Sequence, residues 1–97
     1  MMKKRYIPQP VDVSNVELPQ DLQELIEKLA ENVHETWAQW RVRDGWTWGE
    51  QRNEALKLTP CLVPYDELPD KEKSYDRATV LATLKYVLSL GYELHKR

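Results

Sequence analysis

What this chain lacks narrows its chemistry. Its 97 residues hold one cysteine, Cys61, so no disulfide within the chain is possible, in keeping with a reducing compartment. Beside Leu62 and Val63 that thiol is expected to be buried and inert, since a reactive one wants a nearby cation or helix N-terminus. Glycine is scarce: Gly45, Gly49 and Gly91 are the only three. No Gly-rich loop is therefore present to cradle phosphates. Ser14, Ser74 and Ser89 also lack the Gly-x-Ser-x-Gly setting of a hydrolase nucleophile. Positive charge is not in excess. A net charge of -2 gives no electrostatic case for nucleic acid, and the Lys3-Lys4-Arg5 run reads as a solvated tail. No apolar run approaches the ~18 residues of a membrane span. No apolar stretch follows the N-terminal charges as in a secretory signal. The expectation is a cytoplasmic protein, used intact.

What is present suits a single domain over 1–97, with 1–9 and 95–97 as flexible ends. The length supports one modest core without a staple. Two stretches stand out. Residues 34–49 hold all four tryptophans, Trp37, Trp40, Trp46 and Trp48, beside Arg41 and Arg43. Residues 61–77 mix Tyr65 and Tyr75 with alternating charges. Indole and guanidinium groups are what binding surfaces are made of.

Residues 1–18 are expected to be extended, since Pro10 keeps Gln9 out of a helix and Val11, Val13 and Val16 are strand formers. A long helix is predicted from about Gln20 to Arg43, with Pro19 at its first turn. Asp21 and Glu24 suit its positive end, and Arg41 and Arg43 its negative end. Leu22, Leu25, Ile26, Leu29, Val33, Trp37 and Trp40 form its apolar stripe. Gly45 ends it. A short helix over Glu50–Leu58, halted before Pro60, comes next. A short strand at Leu62–Val63 and a loop from Pro64 to Leu68 follow. A second long helix runs from about Asp70 to Leu90, its apolar face made of Tyr75, Ala78, Leu81, Ala82, Leu84, Val87 and Leu88. The fold class is thus mainly α: two long helices packed together, with a short helix and short β pieces. Each long helix follows a Leu-Pro step, Leu18-Pro19 and Leu68-Pro69, which suggests two strand-plus-helix halves about a pseudo-twofold axis.

Four separated blocks then carry a resemblance. They are Leu29-Ala30-Glu31-Asn32-Val33-His34-Glu35-Thr36-Trp37, Gly45-Trp46-Thr47-Trp48-Gly49, Pro60-Cys61-Leu62-Val63-Pro64-Tyr65, and Thr83-Leu84-Lys85 with Leu90-Gly91-Tyr92. In this order they resemble a ryanodine receptor repeat, the domain found in tandem copies in the cytosolic part of those calcium-release channels. The resemblance spans Pro10 to Tyr92. It implies a mostly helical docking and regulatory unit, and a nucleotide-binding ability with an adenine ring set against tryptophans. It is similar to the isolated repeats of bacteria and phages, which implies a prokaryotic source. Channel activity does not carry over, because nothing here spans a bilayer.

The residues support a matching site. Trp37 and Arg41 are four apart, so they share one helix face, a turn apart, with His34 on the same side. An aromatic plane plus a guanidinium is a sensible receptor for a purine and its phosphate. Trp46 and Trp48 are candidates to wall that pocket, and Tyr65 and Arg77 to add to it. The competing reading makes Trp37 and Trp40 core knobs and Trp46 a turn brace. Other chemistry fits poorly. The charges of 66–77 lack the Gly and the spacing of a calcium loop, and read as a solvated helix start with pairs such as Lys73 to Asp76 or Arg77. After His34-Glu35 a zinc-protease motif needs a second His, but position 38 is Ala. Asn32, His34 and Asn53 are candidates for structural roles, Asn32 by bonding a neighbouring loop backbone, and Arg52 and Lys57 are candidates for bonding the carboxylates of 66–70. The leading expectation is a non-enzymatic module, with no cofactor or metal, binding an adenine nucleotide through His34, Trp37, Arg41, Trp46, Trp48, Tyr65 and Arg77. The first rival is a docking or homodimerisation module whose partner is protein. Nucleotide hydrolysis by His34 and Glu35 is a third reading, without a nucleophile in sight.

Overall fold

A computed structural model describes residues 5–97; Lys3 and Lys4 of the basic tail, and the start of the expected flexible end, lie outside them. Residues 5–19 run irregularly apart from a turn at Ser14–Asn15. There the Asp12 carboxylate accepts the Ser14 N–H at 3.0 Å. The helical part begins with α1 (Gln20–Gln23) and α2 (Ile26–Arg43). The one helix expected over 20–43 is therefore stepped at Glu24–Leu25. Leu25 donates to the Leu22 carbonyl, three residues back, at 3.0 Å. That is a tighter turn than the α-helical one.

Beyond the step, α2 turns Ile26, Leu29, Ala30, Val33, His34 and Trp37 inward, at spacings of three and four. Leu25 is left outside the stripe. So is Trp40, 56% exposed, because the inward row continues from Trp37 to Arg41. The helix closes on Gly45, whose φ of 91° a side chain would strain. The Gly45 N–H donates to the Val42 carbonyl at 3.0 Å and the Trp46 N–H to the Arg41 carbonyl at 2.9 Å. This pair of bonds is the Schellman closure, and it folds Trp46 back under the helix.

Strands β1 (Thr47–Trp48) and β2 (Leu58–Thr59) pair in parallel, Thr47 beside Leu58 and Trp48 beside Thr59. They hold the returning chain tightly: a Cβ on Gly49 would stand 2.6 Å from that of Leu58. Between them the short helix expected over 50–58 is instead a tight loop. The Asn53 carboxamide accepts the Leu56 N–H at 3.0 Å, and Asn53 and Leu58 exchange backbone bonds at 3.0 and 2.9 Å. Side-chain capture of this kind outcompetes helix. Lys57, at φ 55°, extends its ammonium to the Asp44 carbonyl at 2.8 Å and so caps the end of α2. Asn32 stays exposed on α2 and takes no part in such bonding.

A single 3-10 turn, Tyr65–Glu67, precedes α3 (Asp70–Ser89). Pro19 and Pro69 take the same pose before their helices, with ψ of 147° and 150°. Each carbonyl accepts two N–H groups of the first turn, and Leu18 and Leu68 are both buried. The repeat thus holds at the two helix starts, while no strand among the described residues precedes the first. The inner face of α3 is Asp76, Arg77, Val80, Leu84, Val87 and Leu88. Tyr75, expected within the apolar face, is 55% exposed, and Leu81 is exposed too. The core lies where α2, the 3-10 turn and α3 meet. Ala30, Tyr65, Leu68 and Val80 form it, with Ile26, Leu29, Val33, Cys61, Val63 and Leu84 packed around.

Candidate functional site

His34 is the buried hinge of the candidate site, 4% exposed on the inner face of α2. Its Nε2–H donates to the Val63 carbonyl at 2.7 Å, which sets the tautomer. This bond also explains why Leu62–Val63 is no strand: the carbonyl a strand partner would need is turned onto α2. The imidazole stacks on Trp37, with centroids 5.6 Å apart and planes 27° apart. On its other side it tilts against Tyr65 at 6.2 Å.

Beside the His34–Trp37 pair a cavity of about 300 Å³ opens, lined further by Arg52, Thr59, Cys61, Leu68, Glu72, Tyr75 and Asp76. Glu72 and Asp76 are one turn apart on α3. Burial pushes the Asp76 carboxyl up from its ordinary value, His34 pulls it down, and the Glu72 charge pushes it further up. Burial likewise raises the Cys61 thiol, with Glu72 adding to the effect. Half-buried Cys61 is therefore the unreactive thiol its neighbours in the sequence suggest.

The expected site residues divide among three places. His34 and Trp37 line the cavity. Arg41 backs them: its guanidinium lies 5.7 Å from the Trp37 ring centre and 5.0 Å from that of Trp46. Arg52 covers Trp46 as well, at 5.5 Å, so this ring is 7% exposed. Trp46 and Trp48 do not join the cavity. They line a separate, open groove of about 460 Å³ with Val42 and Pro64, in which Trp48 is 56% exposed.

Tyr65 and Arg77 form the third place, a clasp on Glu27. Arg77 pairs with Glu27 through Nε, and its Nη2 donates at 3.1 Å. The Tyr65 hydroxyl donates long bonds of 3.4 Å to both carboxylate oxygens. Arg77 holds the Glu27 carboxyl below the usual carboxylate range, and Glu27 in turn raises the guanidinium. Burial, then the Glu27 charge, raises the Tyr65 phenol. The pairing of Lys73 with Asp76 or Arg77, expected within α3, is not made. Lys73 donates to the Asp66 carbonyl at 3.3 Å and rests 5.4 Å from the Tyr65 ring centre. Arg52 and Lys57 do not reach the carboxylates of 66–70 either; Arg52 pairs with Glu54.

Sequence reasoning missed seven residues of the cavity lining: Arg52, Thr59, Cys61, Leu68, Glu72, Tyr75 and Asp76. A signal exists for Glu72 and Asp76. Stepping back by fours from Leu84 and Val80 lands on Asp76 and Glu72, the true inner row of α3.

The RyR domain family model matches residues 6–96. This chain belongs to the RyR domain family. The match takes in every helix and strand of the fold, the cavity and the clasp. Among the described residues of this RyR domain, no group of three or more His, Cys, Asp or Glu is placed to hold a metal ion. No helix among them is long and apolar enough to cross a membrane.

Proposed function

We propose that this RyR domain is a non-enzymatic binding module for an adenine-type nucleotide or a related small molecule, with the base taken into the His34–Trp37 cavity. One observation carries the reading: a pair of stacked flat rings stands open to a cavity of about 300 Å³, at the small end of ligand pockets. Trp37 offers a face for a planar ligand, and Arg41 braces that indole from behind. Arg52 supplies the cation beside the cavity. Trp46 holds the backing pair in place, and Tyr65 with Arg77 fixes the helices that carry it. Calorimetric titration with AMP, ATP and cyclic ADP-ribose tests this. Saturable heat that Trp37→Ala abolishes is expected. Flat titrations for all three at millimolar ligand end the reading.

A second reading, a docking or homodimerisation module, draws on the open groove. In it Trp48 is 56% exposed and Val42 is 61% exposed, and rings standing in water serve as interface anchors. Light scattering at high protein concentration is the test. A monomer there argues against self-association.

A further inference from the structure

The two long helices turn different faces to water. The exposed side of α2 carries Glu27, Lys28, Glu31, Glu35 and Arg43. On α3 and its end, none of the exposed residues from Ser74 to Leu90 is charged. The charges of that stretch, Asp76, Arg77 and Lys85, are half-buried instead. A helix standing in water carries its charges outward. Here, in a chain that is 31% charged, the arrangement is reversed over about four turns.

This face also has a shape. Tyr75, Thr79, Ala82 and Tyr86 follow at steps of four, three and four, so they form one row, spaced as in a helix–helix seam. Tyr75 is 55% exposed and Tyr86 43%. The small side chains between the two rings leave a waist where another helix can settle. The hydroxyls at the margins are already spent on their own helix. Ser74 Oγ donates to the Lys71 carbonyl and Ser89 Oγ to the Tyr86 carbonyl, both at 2.6 Å. Covering this face therefore buries no charge.

The row reads alike from either end: ring, small, small, ring. With two copies of α3 antiparallel, Tyr75 falls opposite the second copy's Tyr86, and Thr79 opposite its Ala82. A twofold interface demands such self-complementarity of one patch, and a foreign partner does not. Charge selects the direction. At the start of α3, Asp66, Glu67, Asp70 and Glu72 outnumber Lys71 and Lys73, while past its end Lys96 and Arg97 outnumber Glu93. Antiparallel copies set the acidic end of each toward the basic end of the other, and parallel copies set acid against acid.

We propose that the uncharged face of α3 is a dimerisation surface that seats the α3 of a second copy of this chain, antiparallel. From Tyr75 to Tyr86 the seam is about 17 Å long. That is at the small end of specific interfaces, so the dimer forms at high protein concentration and exchanges readily. The surface is distinct from the Trp48 groove.

Light scattering of the unaltered protein, from micromolar to millimolar concentration, is expected to show a reversible monomer–dimer equilibrium. Ala82→Glu, at an exposed helical position and checked for folding by circular dichroism, puts an acid in the seam and should weaken the dimer by about tenfold or more. Val42→Glu, in the groove, should leave it unchanged. Copies bearing Ala82→Glu mixed with copies bearing Thr79→Lys should associate more tightly than either alone, because the acid of one then faces the ammonium of the other. A monomer throughout the range overturns the proposal. So does a dimer that Ala82→Glu leaves intact, or one that Val42→Glu dissolves, which would belong to the groove. A mixture no tighter than the single variants overturns the antiparallel pairing.

Discussion

The clasp and the cavity are two solutions to one problem, a carboxylate between the same pair of helices. At the clasp, α2 supplies the acid and α3 the base, and Tyr65 closes over them. At the cavity, α3 supplies the acid and α2 answers with His34, whose Nε2–H is already spent on the Val63 carbonyl. The consequence appears in the two acids themselves. The Glu27 carboxyl is held down by its guanidinium, whereas the Asp76 carboxyl is pushed up by burial. Residues 76 and 77 are neighbours in the chain, yet Arg77 is paired across the helices while Asp76 lines the cavity, in no ion pair among the described residues.

Four substitutions break or sharpen that contrast. Tyr65 belongs to both places, through its ring against His34 and its hydroxyl on Glu27. Tyr65→Ala should destabilise the domain by about 3–5 kcal/mol, as for other buried rings, and chemical denaturation should show both places lost together. His34→Ala acts on the cavity alone. It strands the Val63 carbonyl and should cost about 1–3 kcal/mol, with the Glu27–Arg77 pair intact by NMR.

Asp76→Asn should raise the thermal midpoint at neutral pH, because it removes a half-buried charge that lies near Glu72. Its pH dependence has a definite sign. A raised native pKa means the folded state binds more protons than the unfolded one above the ordinary value of ~3.9. The cost is therefore fully present at neutral pH and relieved in acid, so the variant's advantage should vanish as pH falls below that value. A midpoint that drops at neutral pH would show Asp76 to be structural. Arg77→Ala should give the smallest change, since its pair is largely exposed, and of opposite sign. The depressed Glu27 contributes stability above the ordinary ~4.3 that is lost as pH falls, so this variant's deficit should be clear at neutral pH and fade in acid. Melting curves across pH 3 to 7 separate the two patterns.

Much of the scaffold is legible in the residues. Gly45 marks the end of α2, and the helix predicted from Asp70 to Leu90 is α3, Asp70–Ser89. The four-residue spacing places Arg41 against Trp37, as found. The loop over 50–58 is not legible, because Glu54, Ala55, Leu56 and Lys57 favour helix. The Asn53 carboxamide and the positive φ of Lys57 override that preference, and both depend on the β1–β2 pairing. The face of α3 departs from its apolar pattern for a related reason. Apolar content favours Tyr75 and Ala78 as interior, while the true inner row begins with two acids. Pairing Glu27 with Arg77, fifty positions on, needs the packed helices themselves. Periodicity therefore finds the elements and misses how the packing pairs their polar groups.

The Arg41 guanidinium shared by two indoles has an optical consequence. Trp40 and Trp48 stand in water, and their red-shifted emission should dominate the spectrum and yield readily to acrylamide. Trp46 lies sealed beneath two cations and should be nearly deaf to quencher. Only Trp37 borders the cavity, so a small molecule entering there dims a minority of the light. Replacing Trp40 and Trp48 by phenylalanine would turn this domain into its own reporter.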